Sequence, residues 1–147
     1  MKKYFAMFAL VIAASLFVVG CEEKEDKVDL PKGIDVKNVR AIAAEWFQKL
    51  DSGYYSQGYD ETSKYLQSKV AQDQWLNNMV TYRKPLGAAK KRKEVNIFYK
   101  TELPDSPAGE YILIQYGTVF LENQAVIETV VLMKEDGKWK PSGYFMK

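Results

Sequence analysis

The sequence contains no histidine and a single cysteine, Cys21. Without histidine there is no Ser-His-Asp triad, no imidazole general base and no histidine-ligated metal. With one cysteine there is no intramolecular disulfide and no thiolate cluster for zinc or iron–sulfur, so neither a metal nor another cofactor is expected. Gly-rich phosphate loops, paired-carboxylate motifs and nucleophile elbows are missing as well. Excess charge is lacking too. The 147 residues carry 21 basic and 19 acidic side chains, and two of the basics, Lys2 and Lys3, precede the first hydrophobic run. Beyond that run the balance is 19 to 19. Such neutrality argues against nucleic acid, which demands a basic footprint, and against adhesion through a polybasic patch.

What is present begins at the amino terminus. Lys2 and Lys3 form a charged start, and Tyr4 to Val19 run without a charge. That length suits the apolar core of an export signal rather than a bilayer-spanning helix, which takes about 18 or more apolar residues. The run ends in Val18-Val19-Gly20-Cys21, which resembles the bacterial lipobox. The resemblance implies diacylglyceryl transfer to the Cys21 thiol, cleavage after Gly20, and a membrane attachment through lipid on Cys21. More than one acyl chain gives stable anchoring, whereas one alone holds marginally. Residues 1–20 are therefore read as a lipoprotein signal peptide. Residues 21–36 begin with Glu22-Glu23-Lys24-Glu25-Asp26 and include Pro31 and Gly33, and read as a flexible charged tether. A flexible chain of this length spans roughly 20 Å. In a cell with two membranes, Glu22 after the cysteine resembles the non-retained class and favours the outer membrane, facing the periplasm.

Residues 37–147 read as one α+β domain. Val39, Ile42, Ala43, Trp46, Phe47 and Leu50 form an apolar helical stripe, with Asp35 or Asn38 as cap and Gly53 at the C′ position. A second, wetter helix is expected over 55–68. A third is expected from near Asp73 to Lys84-Pro85, because the residue before proline is driven out of the α region. Beyond Gly87 the period becomes two: Val95, Ile97 and Tyr99 alternate with polar neighbours, and strands follow over 111–121, 126–133 and 139–145. Asp136-Gly137 between the last two supplies hairpin chemistry. Helices followed by an antiparallel meander predict N-terminal helices packed on one face of a curled, cone-like sheet of about four strands.

The features Trp46, Asp51-x-Gly53-x-Tyr55, Trp75, Arg83-x-Pro85-Leu86-Gly87, Arg92, Leu103-Pro104, Pro107-x-Gly109-Glu110-Tyr111, Phe120, Glu128-Thr129, Asp136-Gly137-x-Trp139 and Gly143-Tyr144-Phe145 resemble the bacterial lipoproteins grouped as domain of unknown function 4019. Gly58-Tyr59 stands where that pattern would have Ser-Trp. The resemblance implies a nuclear transport factor 2 or cystatin-like fold and carries over no activity.

Glu128 is the most informative candidate. It interrupts the apolar run Val126 to Leu132, and a desolvated carboxylate needs a partner or a raised pKa. Arg83 and Arg92 are candidate partners, since a guanidinium forks a carboxylate well. Glu128 is either an acid or ligand hook in a cone mouth or one half of a structural ion pair. Asp51 and the tyrosines are the other conceivable acids or bases. The 20 aromatic residues could line a pocket, though such residues are more often core. Lys90-Lys91-Arg92-Lys93 could meet phosphate or an acidic partner, or form a solvated strand edge. The expected role is a non-enzymatic binding or envelope-assembly module, partnered with the membrane and another envelope protein. The alternative is a small-ligand-binding protein or minor enzyme with a pocket around Glu128.

Overall fold

A computed structural model describes residues 30–147, so the residues read as an export signal, Cys21 and the start of the segment read as tether lie outside the described residues. Helix α1, Val36–Asp51, buries Val39, Ala43, Trp46, Phe47 and Leu50, the expected stripe. Asp35 caps it by accepting from the Asn38 N–H at 3.0 Å, and Gly53 just past its end takes φ +79°. Leu30, Ile34 and Val36, within the segment read as tether, pack against the core.

The single second helix is a correction. Two short helices occupy its place, α2 (Tyr55–Asp60) and α3 (Lys64–Lys69). The break has a local cause: extended Ser63 accepts the Leu66 N–H at its side chain and starts a new helix. Gly58 faces α1, where an added Cβ would lie 3.0 Å from Leu50 Cδ2, and its carbonyl accepts the Trp46 indole N–H at 2.8 Å. The glycine that departs from the family pattern thus permits a close helix crossing.

The third helix also departs from expectation. After α4, Gln72–Asn78, the chain widens to a π-helical turn over Met79–Arg83 and tightens to a 3-10 turn over Lys84–Leu86. Lys84 keeps α-region dihedrals although Pro85 follows, so the helical path passes the proline and stops at Gly87, with φ +71°.

Four antiparallel strands then run β1 (Ala89–Lys100), β2 (Tyr111–Phe120), β3 (Ala125–Glu135) and β4 (Lys138–Met146), in that spatial order. Positive φ at Asp136 and Gly137 closes the last hairpin. This is the α+β class, an open sheet with its helices on one face. Ile112, Ile114, Val130 and Leu132 of the sheet meet Trp46, Phe47 and Leu50 of α1 in the core. Val95 does not share the inner face with Ile97 and Tyr99: a register shift between Glu94 and Asn96 leaves it exposed.

Candidate functional site: a buried carboxylate–guanidinium cluster

The end of α1, the π-helical turn and all four strands meet around Glu128. Strand alternation sends Glu128 to the same inner face as Val130 and Leu132, where it is 0 % exposed. Arg92 Nε donates to Glu128 Oε2 at 2.7 Å, the Thr118 hydroxyl donates to the same oxygen at 2.5 Å, and Tyr144 Oη donates to Oε1 at 2.5 Å. Arg92 turns its other two nitrogens to Asp51, with Nη1 to Oδ2 at 2.9 Å and Nη2 to Oδ1 at 3.0 Å. Arg83, 1 % exposed, donates Nη2 to the same Asp51 Oδ1 and Nη1 to the Gly87 carbonyl at 2.5 Å.

The cluster is therefore a chain, Arg83–Asp51–Arg92–Glu128, with two charges of each sign. Opposite charges alternate along it, which is how charges survive away from water. Aromatic faces complete the cover: the Arg83 guanidinium lies 4.4 Å from the Phe120 ring centroid and that of Arg92 4.1 Å from Phe47. Among the described residues, Arg83 Nε is the one buried side-chain polar atom without a partner.

Burial opposes the charge on Arg92, but its hydrogen bonds to Asp51 and Glu128 outweigh burial and raise its pKa further. Burial, and then the facing Glu128, also raise that of Tyr144, so its phenol remains a neutral donor. Tyr116 is pushed up to about 12, chiefly by burial.

Arg92 pairs with Glu128 as expected. Arg83 joins the cluster through Asp51 instead. Asp51, a conceivable acid or base that also belongs to the family pattern, is the bridge between the arginines; Tyr144, one of the tyrosines so named, serves as a donor to Glu128, and nothing in the sequence singles out Thr118. The basic run divides by alternation, with Arg92 turned inward, Lys91 exposed and Lys90 bonded to Asn123 at 3.2 Å. Trp46, Trp75, Tyr111, Tyr116 and Phe120 are buried, and Trp139 packs partly against the core.

A separate apolar trough of about 750 Å³ opens beside the cluster, between the α4–π segment and β4. Trp75, Met79, Tyr82, Val126 and Met146 are among its walls, and Tyr144 separates it from Glu128. The described residues include no group of acidic or cysteine side chains placed to hold a metal, and no helix long and apolar enough to cross a membrane.

Fold and cluster together define a small α+β domain whose interior is pinned by balanced charges. The chain belongs to the family of proteins of unknown function DUF4019, whose family model matches residues 42–144. Comparison with curated proteins found no match, and comparison with solved structures found none either. The residues that carry the family resemblance gather at the cluster: Asp51, Arg83, Gly87, Arg92, Phe120, Glu128 and Tyr144 are all among them.

Proposed function

We propose that this protein is an exported lipoprotein, acylated at Cys21 and held in the cell envelope, whose domain is a non-enzymatic binding or assembly module. One observation carries the second half of that reading: both oxygens of Glu128 are engaged inside the core by Arg92, Thr118 and Tyr144. A general acid or base must reach its substrate directly or through one water. Glu128 is consumed instead in joining β3 to β1, β2 and β4, with Arg92 carrying the link on to Asp51 of α1, and the paired, filled interior is what an interaction module requires. The lipobox-like Val18-Val19-Gly20-Cys21 and the charged start at Lys2 and Lys3 support the anchoring half. In a cell with two membranes, the outer membrane facing the periplasm is the expected site.

Mass spectrometry of membrane-extracted protein tests the anchor: an acylated Cys21 is expected as first residue, and a free Cys21 thiol in an uncleaved chain would overturn it. The trough favours a second reading, a carrier of small apolar molecules, because its size falls within the range of ligand sites. Native mass spectrometry of gently extracted protein separates the two readings. Bare protein fits the interaction module, and a retained apolar molecule fits the carrier.

A further inference from the structure

The helices cover one face of the sheet, and alternation makes the residues of the other face legible row by row. Ile127 and Lys147 exchange both backbone hydrogen bonds, at 2.9 and 3.0 Å, so they sit opposite each other and share a face. With Glu128 inside, that face is the outer one. One row across the four strands reads Lys93, Gly117, Ile127, Lys147, and another reads Phe98, Leu113, Val131, Gly143. Val95 lies over Gly117, where an added Cβ would be 3.5 Å from Val95 Cγ2, and Phe145 lies likewise over Gly143 at 3.2 Å. Val95, Phe98, Ile127 and Phe145 are all exposed, Phe145 by 62 %. A sheet face left to water normally alternates to polar residues. Here the middle is an apolar band, and among the described residues only the loop after β1 covers one end, through the Tyr111 hydroxyl donating to the Pro107 carbonyl.

The charge around this band has one dominant sign. Lys91 and Lys100 on β1 and Lys147 just past the end of β4 occupy outer-face positions at the two edges of the sheet, while the strand carboxylates Glu94 and Glu128 turn inward to Arg40 and Arg92. Glu135, at the far end, is paired with Lys140 at 3.1 Å. Overall neutrality hides this asymmetry. Residues 30–147 hold 17 basic and 14 acidic side chains, and residues 21–29 hold two and five.

We propose that the outer sheet face docks on an anionic lipid surface, with Val95, Phe98, Ile127 and Phe145 entering the headgroup boundary and the edge lysines meeting lipid phosphates. Charge complementarity selects this occupant. A second copy of the same face would bring lysine-edged strands against lysine-edged strands, and like-charge juxtaposition opposes docking. A bilayer accepts apolar side chains and edge cations together, the combination interfacial segments use. The proposal takes only nearness to a membrane from the anchoring reading, and the test does without the lipid anchor.

The core and the ion cluster are built from residues 30–147, so a chain starting at residue 21 with Cys21→Ser retains both and carries no acyl group. Cosedimentation of this chain with phosphatidylcholine vesicles, with or without phosphatidylglycerol, reads the docking directly. Binding to the anionic vesicles is expected, roughly tenfold or more above neutral ones, and should fade in molar salt. Lys91→Glu and Lys147→Glu should each weaken it roughly fivefold. Ile127→Ser with Phe145→Ser should weaken it roughly tenfold, with wild-type circular dichroism and urea midpoints confirming an intact fold. Absent binding, equal binding to neutral vesicles, or indifference to these variants would overturn the proposal. So would a dimer in solution that Phe145→Ser dissolves, or an acidic protein that occupies this face while vesicles do not. Acylation of Cys21 is scored separately by mass, so failure of docking and failure of anchoring give different results.

Discussion

The two faces of this sheet are built from the same four strands and the same alternation, yet they solve opposite problems. The inner face takes in charged groups, Arg92 and Glu128, and satisfies them with Asp51, Thr118 and Tyr144. The outer face shows apolar groups, Phe98, Ile127 and Phe145, to solvent. Composition alone would assign the charges outside and the aromatics inside. The inversion shows that charge can fix the relative placement of helix and sheet when every charge is answered, and that an apolar surface left uncovered is available for contact.

Breaking the inner face should have the largest effect. Asp51→Asn removes the one carboxylate that Arg83 contacts among the described residues and the acceptor of two of the three hydrogen bonds that Arg92 makes to Asp51 and Glu128, stranding a guanidinium in the core. A loss of about 3–5 kcal/mol in urea denaturation is expected; a loss below about 1 kcal/mol would place the cluster among the dispensable surface-like pairs. Gly87→Ala should come next, at about 2 kcal/mol. Its φ of +71° disfavours a side chain, an added Cβ would lie 2.8 Å from Leu121 Cδ1, and its carbonyl anchors Arg83. An unchanged melting temperature would mean that this turn can relax without moving the arginine.

Alkali sharpens the comparison through the tyrosines. An unfolded tyrosine loses its proton near pH 10, whereas Tyr116 holds its proton to about 12 and Tyr144 is raised as well. From pH 10 upward the unfolded state releases protons that the folded state keeps, so stability falls as pH rises. Below that range these groups contribute no pH dependence. Tyr144 should add up to about 1.4 kcal/mol of loss per pH unit there, and Tyr144→Phe should flatten the fall measured between pH 9 and 11. An identical slope in the variant would remove Tyr144 from the linkage. The smallest effect belongs to the outer face: Phe145→Ser should move the urea midpoint by no more than about 0.5 kcal/mol equivalent. A larger loss would mean that this ring belongs to the packed structure.

Much of the architecture was legible because it rests on local periodicity. The stripe from Val39 to Leu50, the change of period after Gly87 and the Asp136-Gly137 turn each point to their element, and Glu128 stands out as a charge inside an apolar run. The irregular features were not legible. The interruption at Ser63 and the π-helical turn before Pro85 depend on hydrogen bonds that compete with helix continuation, and the shift at Val95 depends on pairing with β2. The cluster itself joins residues 51, 83, 92, 118, 128 and 144. Arginine near carboxylate was a fair expectation for Glu128, but the bridging role of Asp51 exists only once the end of α1 lies over the sheet.

The claim that the charges are structural is tested most directly by a double-mutant cycle at Arg92 and Glu128, with Glu128→Gln, Arg92→Gln and the pair compared by urea denaturation at neutral pH. Glu128→Gln alone should destabilise by about 3 kcal/mol, and the pair should lose less than the sum of the singles, with a coupling of about 1–3 kcal/mol. An unchanged or raised midpoint for Glu128→Gln would contradict this, and would identify a carboxylate held under strain for a chemical purpose.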